Sequence, residues 1–238
     1  MSERIEKILA RELNEPRSRV KTLLQKGQVT VDGVVARAGQ QADPDTQEIC
    51  LAGEPIACRA FVYLMLNKPT GVLSATDGKG EPTVLDLVPL ALRRKGLFPA
   101  GRLDKDTTGF VLLTDDGAFA HSHSQPPQPY SKDLYRHSGQ TGAPYGCRGL
   151  CRGMEMDGKV LQPAQLTILS ADPPRAQVVL RQGIYHQVKR MFARVGCTVT
   201  ALHRTAMGAL ELDPTLAPGD CRALTPAEVA LLAKGTVQ

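Results

Sequence analysis

The chain has 238 residues, a formal charge of +5, 42% hydrophobic and 22% charged residues, which is too apolar for a disordered tail and ordinary for a globular protein. Its apolar runs are far shorter than the roughly 18 residues a membrane span needs. The start, Met1-Ser-Glu-Arg-Ile-Glu-Lys7, has neither the apolar core of a secretory signal nor the acid-poor bias of a transit peptide, so a cytoplasmic location is expected. Six cysteines, at 50, 58, 147, 151, 197 and 221, are scattered through a chain large enough to build its own core, and they read as reduced thiols. Cys147 and Cys151 could begin a zinc site, but no second pair or nearby histidine pair completes four ligands, so no metal is expected.

Apolar residues at Ile5, Ile8, Leu9 and Leu13, then at Val20, Leu23 and Leu24, recur at helical spacing, and Asn14-Glu-Pro16 breaks them into two helices. Gly27 ends the second. Gln28-Val-Thr-Val-Asp-Gly-Val-Val35 alternates about an Asp-Gly pair, a strong hairpin signal. Arg17, Arg19, Lys21 and Lys26 cluster around the second helix, where a solvated face or a nucleic-acid grip are both open readings. Residues 41–60 form a polar strand and turn, and a new apolar block at Phe61 marks a domain boundary near 58. Beyond it, short strands at 61–67, 110–114, 165–170 and 176–181 and a helix at 185–195 predict an α+β domain around a mixed sheet.

The most informative stretch is Gly101-Arg-Leu-Asp-Lys-Asp-Thr-Thr-Gly109, a glycine-bounded polar loop that leads into an apolar strand. Loops on rigid edges are where active-site side chains sit. Asp104 and Asp106 either hydrogen-bond their own turn, as loop aspartates commonly do, or carry chemistry.

The order of segments decides between these. Leu66-Asn-Lys-Pro-Thr-Gly71, the 101–109 loop, Gly183-Ile-Tyr-His-Gln-Val-Lys-Arg-Met-Phe192, Leu202-His-Arg204 and Leu216-Ala-Pro-Gly219 followed by Arg222-Ala-Leu-Thr225 occur in one sequence. With these motifs the chain resembles the RsuA-type family of RNA pseudouridine synthases over nearly its full length. The resemblance implies a small S4-like RNA-binding domain in 1–58 and a catalytic domain in 59–238, the latter a mixed, mostly antiparallel sheet flanked by helices. It implies a monomer that needs no cofactor and whose partner is ribosomal RNA, closest to the branch acting on 16S RNA of the small subunit, free or in an assembly intermediate. A synthase of the large-subunit 23S RNA and a non-catalytic S4-type ribosome-assembly protein are the alternatives.

On the same resemblance Asp104 is the catalytic carboxylate, as nucleophile or base, and Lys189 its basic partner. Arg102 helps displace the target base from its stack, Leu202 borders the uracil, and Tyr185 supports the site. Arg190 contacts phosphate. In the S4-like part, Arg4, Arg17, Arg19, Lys21 and Lys26 are the candidates for gripping the RNA backbone, which positions a substrate without reading its sequence. His186 is expected to be a structural, hydrogen-bonded residue.

The match breaks between about 124 and 153, where the family has Pro-Lys-Thr-Tyr, an apolar strand and an Ala-rich helix. Here the chain has neither strand alternation nor helical periodicity. Writing Ser131 to Gln140 as TCC AAA GAC CTA TAT CGT CAC AGT GGA CAG and reading one base later gives Pro-Lys-Thr-Tyr-Ile-Val-Thr-Val-Asp. The same shift turns Gly146-Cys-Arg-Gly-Leu-Cys-Arg152 into Ala-Ala-Glu-Ala-Phe-Ala-Ala. A frameshift over 124–153 is therefore expected, with loss of a central strand and of the family's stacking tyrosine, since Tyr135 falls one residue beyond its position. These residues also supply +3 of the +5, so net charge alone says little about nucleic acid.

Overall fold

The computed structural model describes residues 2–44, 46–56, 58, 61–124, 130–135, 153–171 and 174–233. They form two compact units, one of Met1–Val62 with Arg93–Leu97 and one of Tyr63–Leu92 with Phe98–Gln238. The first unit thus runs a few residues past the expected boundary at 58 and takes back a later pentapeptide. Cys147 and Cys151 lie outside the described residues.

In the first unit, α1 (Ile5–Glu12) and α2 (Arg17–Gln25) are separated at Asn14, whose φ of 52° reverses the chain before Pro16. Ile5, Ile8 and Leu9 of α1 and Val20 and Leu24 of α2 are buried together. They cover a sheet of β1 (Val29–Val31), β2 (Val34–Val35), β3 (Ile49–Leu51) and β4 (Glu54–Pro55), in the order β2-β1-β3-β4. Asp32 and Gly33 turn the hairpin with φ of 50° and 78°, the two positive angles of a type I′ turn. Arg94, returning with the second segment, donates to Glu12 Oε1 at 2.6 Å, and both side chains are nearly buried.

The second unit is built on one mixed sheet. Its strands in chain order are β5 (Tyr63–Lys68), β6 (Phe98–Pro99), β7 (Thr108–Thr114), β8 (Tyr130–Tyr135), β9 (Gln165–Ala171), β10 (Pro174–Leu180), β11 (Ala201–Arg204) and β12 (Cys221–Ala223). The order across the sheet is β9-β10-β8-β11-β7-β5-β12, with β6 on β7. Only β11 and β7 run parallel among these described pairs. β5 and β7 are buried almost without interruption, as central strands covered on both faces should be. Val178, Leu180 and Leu202 pack with Val188, Met191 and Phe192 of α3 (Gln187–Arg194), while Phe110, Leu112 and Met65 pack with Leu232 of α4 (Pro226–Ala233).

β8 corrects the expectation that 124–153 lacks a strand. Tyr130–Tyr135 pairs with β10 along its whole length and with β11 over Lys132–Tyr135. The two flanking strands present complementary backbone edges, and this pairing outweighs the missing alternation, since strand preference is largely set by tertiary context.

Candidate active site

The loop 101–107 between β6 and β7 is pinned from below by the Asn67-Lys68-Pro69-Thr70-Gly71 segment. Lys68 is fully buried, and its ammonium donates to the carbonyls of Pro69, Lys105 and Thr107 at 3.0, 3.1 and 2.7 Å. Gly71 N–H donates to the Lys105 carbonyl and Leu103 N–H to the Ser74 hydroxyl. Burial lowers the Lys68 ammonium to about 8, against the upward pull of Asp106 and Asp104. Two motifs that are 30 residues apart in the sequence are thus one structural device, and the role of Lys68 has no signal in its local sequence.

The other end of the loop is fixed by a close approach of strands. Gly109 has φ of +99°, and a Cβ there would stand 2.3 Å from the Arg204 carbonyl oxygen. Thr108 Oγ1 meets His203 Nδ1 at 2.8 Å, and Arg204 Nε donates to the Phe110 carbonyl at 2.6 Å. The Thr-Gly pair therefore brings β11, with Leu202, against the strand that follows Asp104.

Asp104 opens into a cavity of about 640 Å³ lined by loop 101–107, by 182–189 and by Leu202. Arg102, Asp104, Tyr185, Lys189 and Leu202 all line it. The Asp104 side chain is 28% exposed, with Oδ1 3.5 Å from His186 Nε2 and Oδ2 3.7 Å from Lys189 Nζ. The nearest partner of Lys189 differs from the expected one. Its ammonium donates to both oxygens of Asp106 at 2.6 Å, and this bond holds the Asp106 carboxyl below its ordinary value. Asp106, to which the family resemblance gave no role, thus competes with Asp104 for the cation.

The helix expected from 185 begins at Gln187, because His186 adopts a left-handed conformation (φ 50°, ψ 33°). His186 lines the cavity. Arg190 is outside the cavity lining: it donates to Asp157 Oδ1 at 2.6 Å.

In the first unit Arg4, Arg17 and Lys21 line a concave surface of about 810 Å³ together with Lys7. Arg19 and Lys26 are exposed but lie outside it. Among the described residues no group of histidine, cysteine and acidic side chains could hold a metal ion, and no helix is long and apolar enough to cross a membrane.

Residues 62–194 match the family described as RNA pseudouridylate synthase, and residues 3–47 match the S4 domain. The chain belongs to the RNA pseudouridylate synthase family. It is 42% identical to an uncharacterised RNA pseudouridine synthase of Bacillus subtilis, across 96% of this chain and 98% of the relative. It is 38% identical to ribosomal small subunit pseudouridine synthase A of Pasteurella multocida (97% and 100% covered) and 35% identical to that of Escherichia coli (95% and 98%). A crystal structure of a pseudouridylate synthase superposes with a TM-score of 0.65 at 32% identity, covering 96% of this chain and 99% of that one. The synthase is thus of the RsuA type, with an S4 domain ahead of its α+β catalytic fold.

Proposed function

We propose that the synthase isomerises a uridine of small-subunit 16S ribosomal RNA, with Asp104 acting on a base flipped into the cavity. The observation that carries this is the partly exposed Asp104 carboxylate between two basic side chains in a cavity with Leu202 on its wall. The small-subunit assignment draws on the names of the relatives in Pasteurella and Escherichia.

In the reaction the bond from uracil N1 to the ribose C1′ breaks, the ring turns, a bond from C5 to C1′ forms, the C5 hydrogen leaves as a proton, and N1 takes up a proton. The atoms balance without a cofactor. Flipping costs a few kcal/mol, offset by packing of the extruded base and by phosphate contacts. In this reading Arg102 takes the space the base vacates, Leu202 packs on the uracil, and His186 and Lys189, 3.5 and 3.7 Å from the Asp104 carboxylate, position it. Residues 1–58, through Arg4, Arg17, Arg19, Lys21 and Lys26, hold the backbone as Arg190 does beside the site, and residues 59–238 carry the chemistry, in a cytoplasmic monomer.

The test is tritium release from small-subunit and large-subunit RNA labelled at uridine C5, with wild type against Asp104→Asn. Release from small-subunit RNA by wild type alone is the expected result. Equal release by both proteins overturns the role of Asp104, and binding without release by either favours the non-catalytic alternative.

The reading-frame shift over 124–153 is also proposed. It is supported by the recovery of the family's motif one base away, and by a register that pairs residue 134 with Leu202 and residue 135 with Ala201. The shifted frame puts its tyrosine at 134, across from Leu202. Sequencing of independent clones decides it: an unbroken in-frame read through both ends establishes the lesion as genuine. Leu134→Tyr is then expected to raise turnover.

A further inference from the structure

Tyr185 and His186 form a feature that the chemistry of Asp104 leaves unused. Their rings are parallel, with centroids 3.8 Å apart and planes within 16°. Successive side chains of an extended strand point to opposite sides, so this stack depends on the left-handed backbone at His186, a conformation that a residue with a Cβ rarely adopts. Such strained positions persist where the surrounding structure enforces them, commonly at functional sites. Here the enforcement comes from Gln187, whose side chain accepts from Ile184 N–H at 3.1 Å and whose own N–H donates to the Ile184 carbonyl.

One side of this pair faces the chemistry, because His186 Nε2 is 3.5 Å from Asp104. The other is open: Tyr185 is 76% exposed although its ring already covers His186. A tyrosine with an uncovered face at the rim of a catalytic cavity, held rigid by a ring beneath it, has the form of a stacking platform. Extruding one base from an RNA strand leaves its neighbours short of a stacking partner, and any base can stack on an aromatic face.

We infer that the Tyr185–His186 stack is a shelf for the nucleobase next to the target uridine, so that the synthase binds two bases and not one. This rests on the reading of the cavity as the site of the flipped uridine. The shelf tolerates any base and contributes to affinity, while Asp104 governs turnover.

The experiment measures binding of a small-subunit RNA hairpin by titration in the Asp104→Asn background, so that chemistry does not enter. Tyr185→Ala is expected to weaken binding roughly 5- to 150-fold, the equivalent of ~1–3 kcal/mol, and Tyr185→Phe, which keeps the ring, to restore it to within about twofold. An abasic site at the flanking nucleotide should remove the difference between Tyr and Ala. Unchanged binding by Tyr185→Ala, or a difference that survives the abasic site on both sides of the target, overturns the shelf. Tritium release by the protein with native Asp104 reports separately on the uridine reading. Because Tyr185 is exposed, an unchanged melting temperature is expected for both variants.

Discussion

Replacing Gly109 with alanine tests the joint between β7 and β11. Two costs arise there and can be separated. A side chain at a φ of +99° is strained whatever surrounds it, at about 1–3 kcal/mol. The new methyl group would also stand 2.3 Å from the Arg204 carbonyl oxygen and 2.7 Å from its nitrogen, both backbone atoms with no rotamer in which to retreat. Relief needs β11 to move by most of an ångström, and the described parallel pairing of β11 with β7 consists of only His203 with Thr108 and Arg204 with Gly109. Overpacking of this kind costs about 1–3 kcal/mol more. Gly101→Ala is the control, with a φ of +97° and nothing within 4 Å of the added carbon. With the middle of each range, about 4 and about 2 kcal/mol in all, and about 2–4 °C per kcal/mol for a unit of this size, Gly109→Ala should melt roughly 8–16 °C below wild type and Gly101→Ala roughly 4–8 °C below. Thermal unfolding followed by circular dichroism reads both. If the two variants melt within 2 °C of each other, the close approach at Arg204 contributes nothing and the reasoning fails.

Three further outcomes are expected. Lys68 is fully buried and its ammonium is lowered to about 8 from 10.5 by burial, so the unfolded chain holds more protons between those values and the contribution of Lys68 to stability rises with pH across that window; wild type should gain on Lys68→Met in melting temperature from pH 8 to 10.5, and a constant gap refutes this. Asp106→Asn removes the carboxylate that holds the Lys189 ammonium at 2.6 Å and frees it to approach Asp104, so tritium release should persist in this variant and fall in Lys189→Met; equal loss in both refutes the competition between the two aspartates. Arg222 donates to Glu228 and Asp213, and Glu228 is held at about 2 chiefly by Arg222. Stability from such a depressed carboxyl is present above its unfolded value near 4.5 and lost as pH falls toward 2, so Arg222→Met should flatten the fall of melting temperature between those pH values.

Much of this was legible in the sequence for local reasons. The two helices and the Asp-Gly hairpin of the first unit follow from apolar spacing, Asn14-Glu-Pro16 and a turn that needs two positive φ angles. The cavity residues Arg102, Asp104, Tyr185, Lys189 and Leu202 came from motifs rather than from periodicity. What stayed hidden depends on partners distant in sequence. A lysine before a proline gives no hint that it clamps a loop more than 30 residues later, and nothing near Asp106 shows that Lys189 is nearer to it than to Asp104. β8 was missed because its strand character comes from the edges of β10 and β11.

The return of Arg93–Leu97 to the first unit has a consequence for synthesis. Glu12 leaves the ribosome early with Arg11 beside it at 3.2 Å, yet the shorter of its two guanidinium pairs, at 2.6 Å, is with residue 94, so the N-terminal module is not closed when its own helices and strands have emerged. It must wait for thirty more residues of the next unit. A fragment cut at Val62 would carry a nearly buried glutamate with its Arg94 partner removed. Truncations meant to isolate the RNA grip should therefore supply 93–97 or neutralise Glu12, and the two units are expected to reach their final form together.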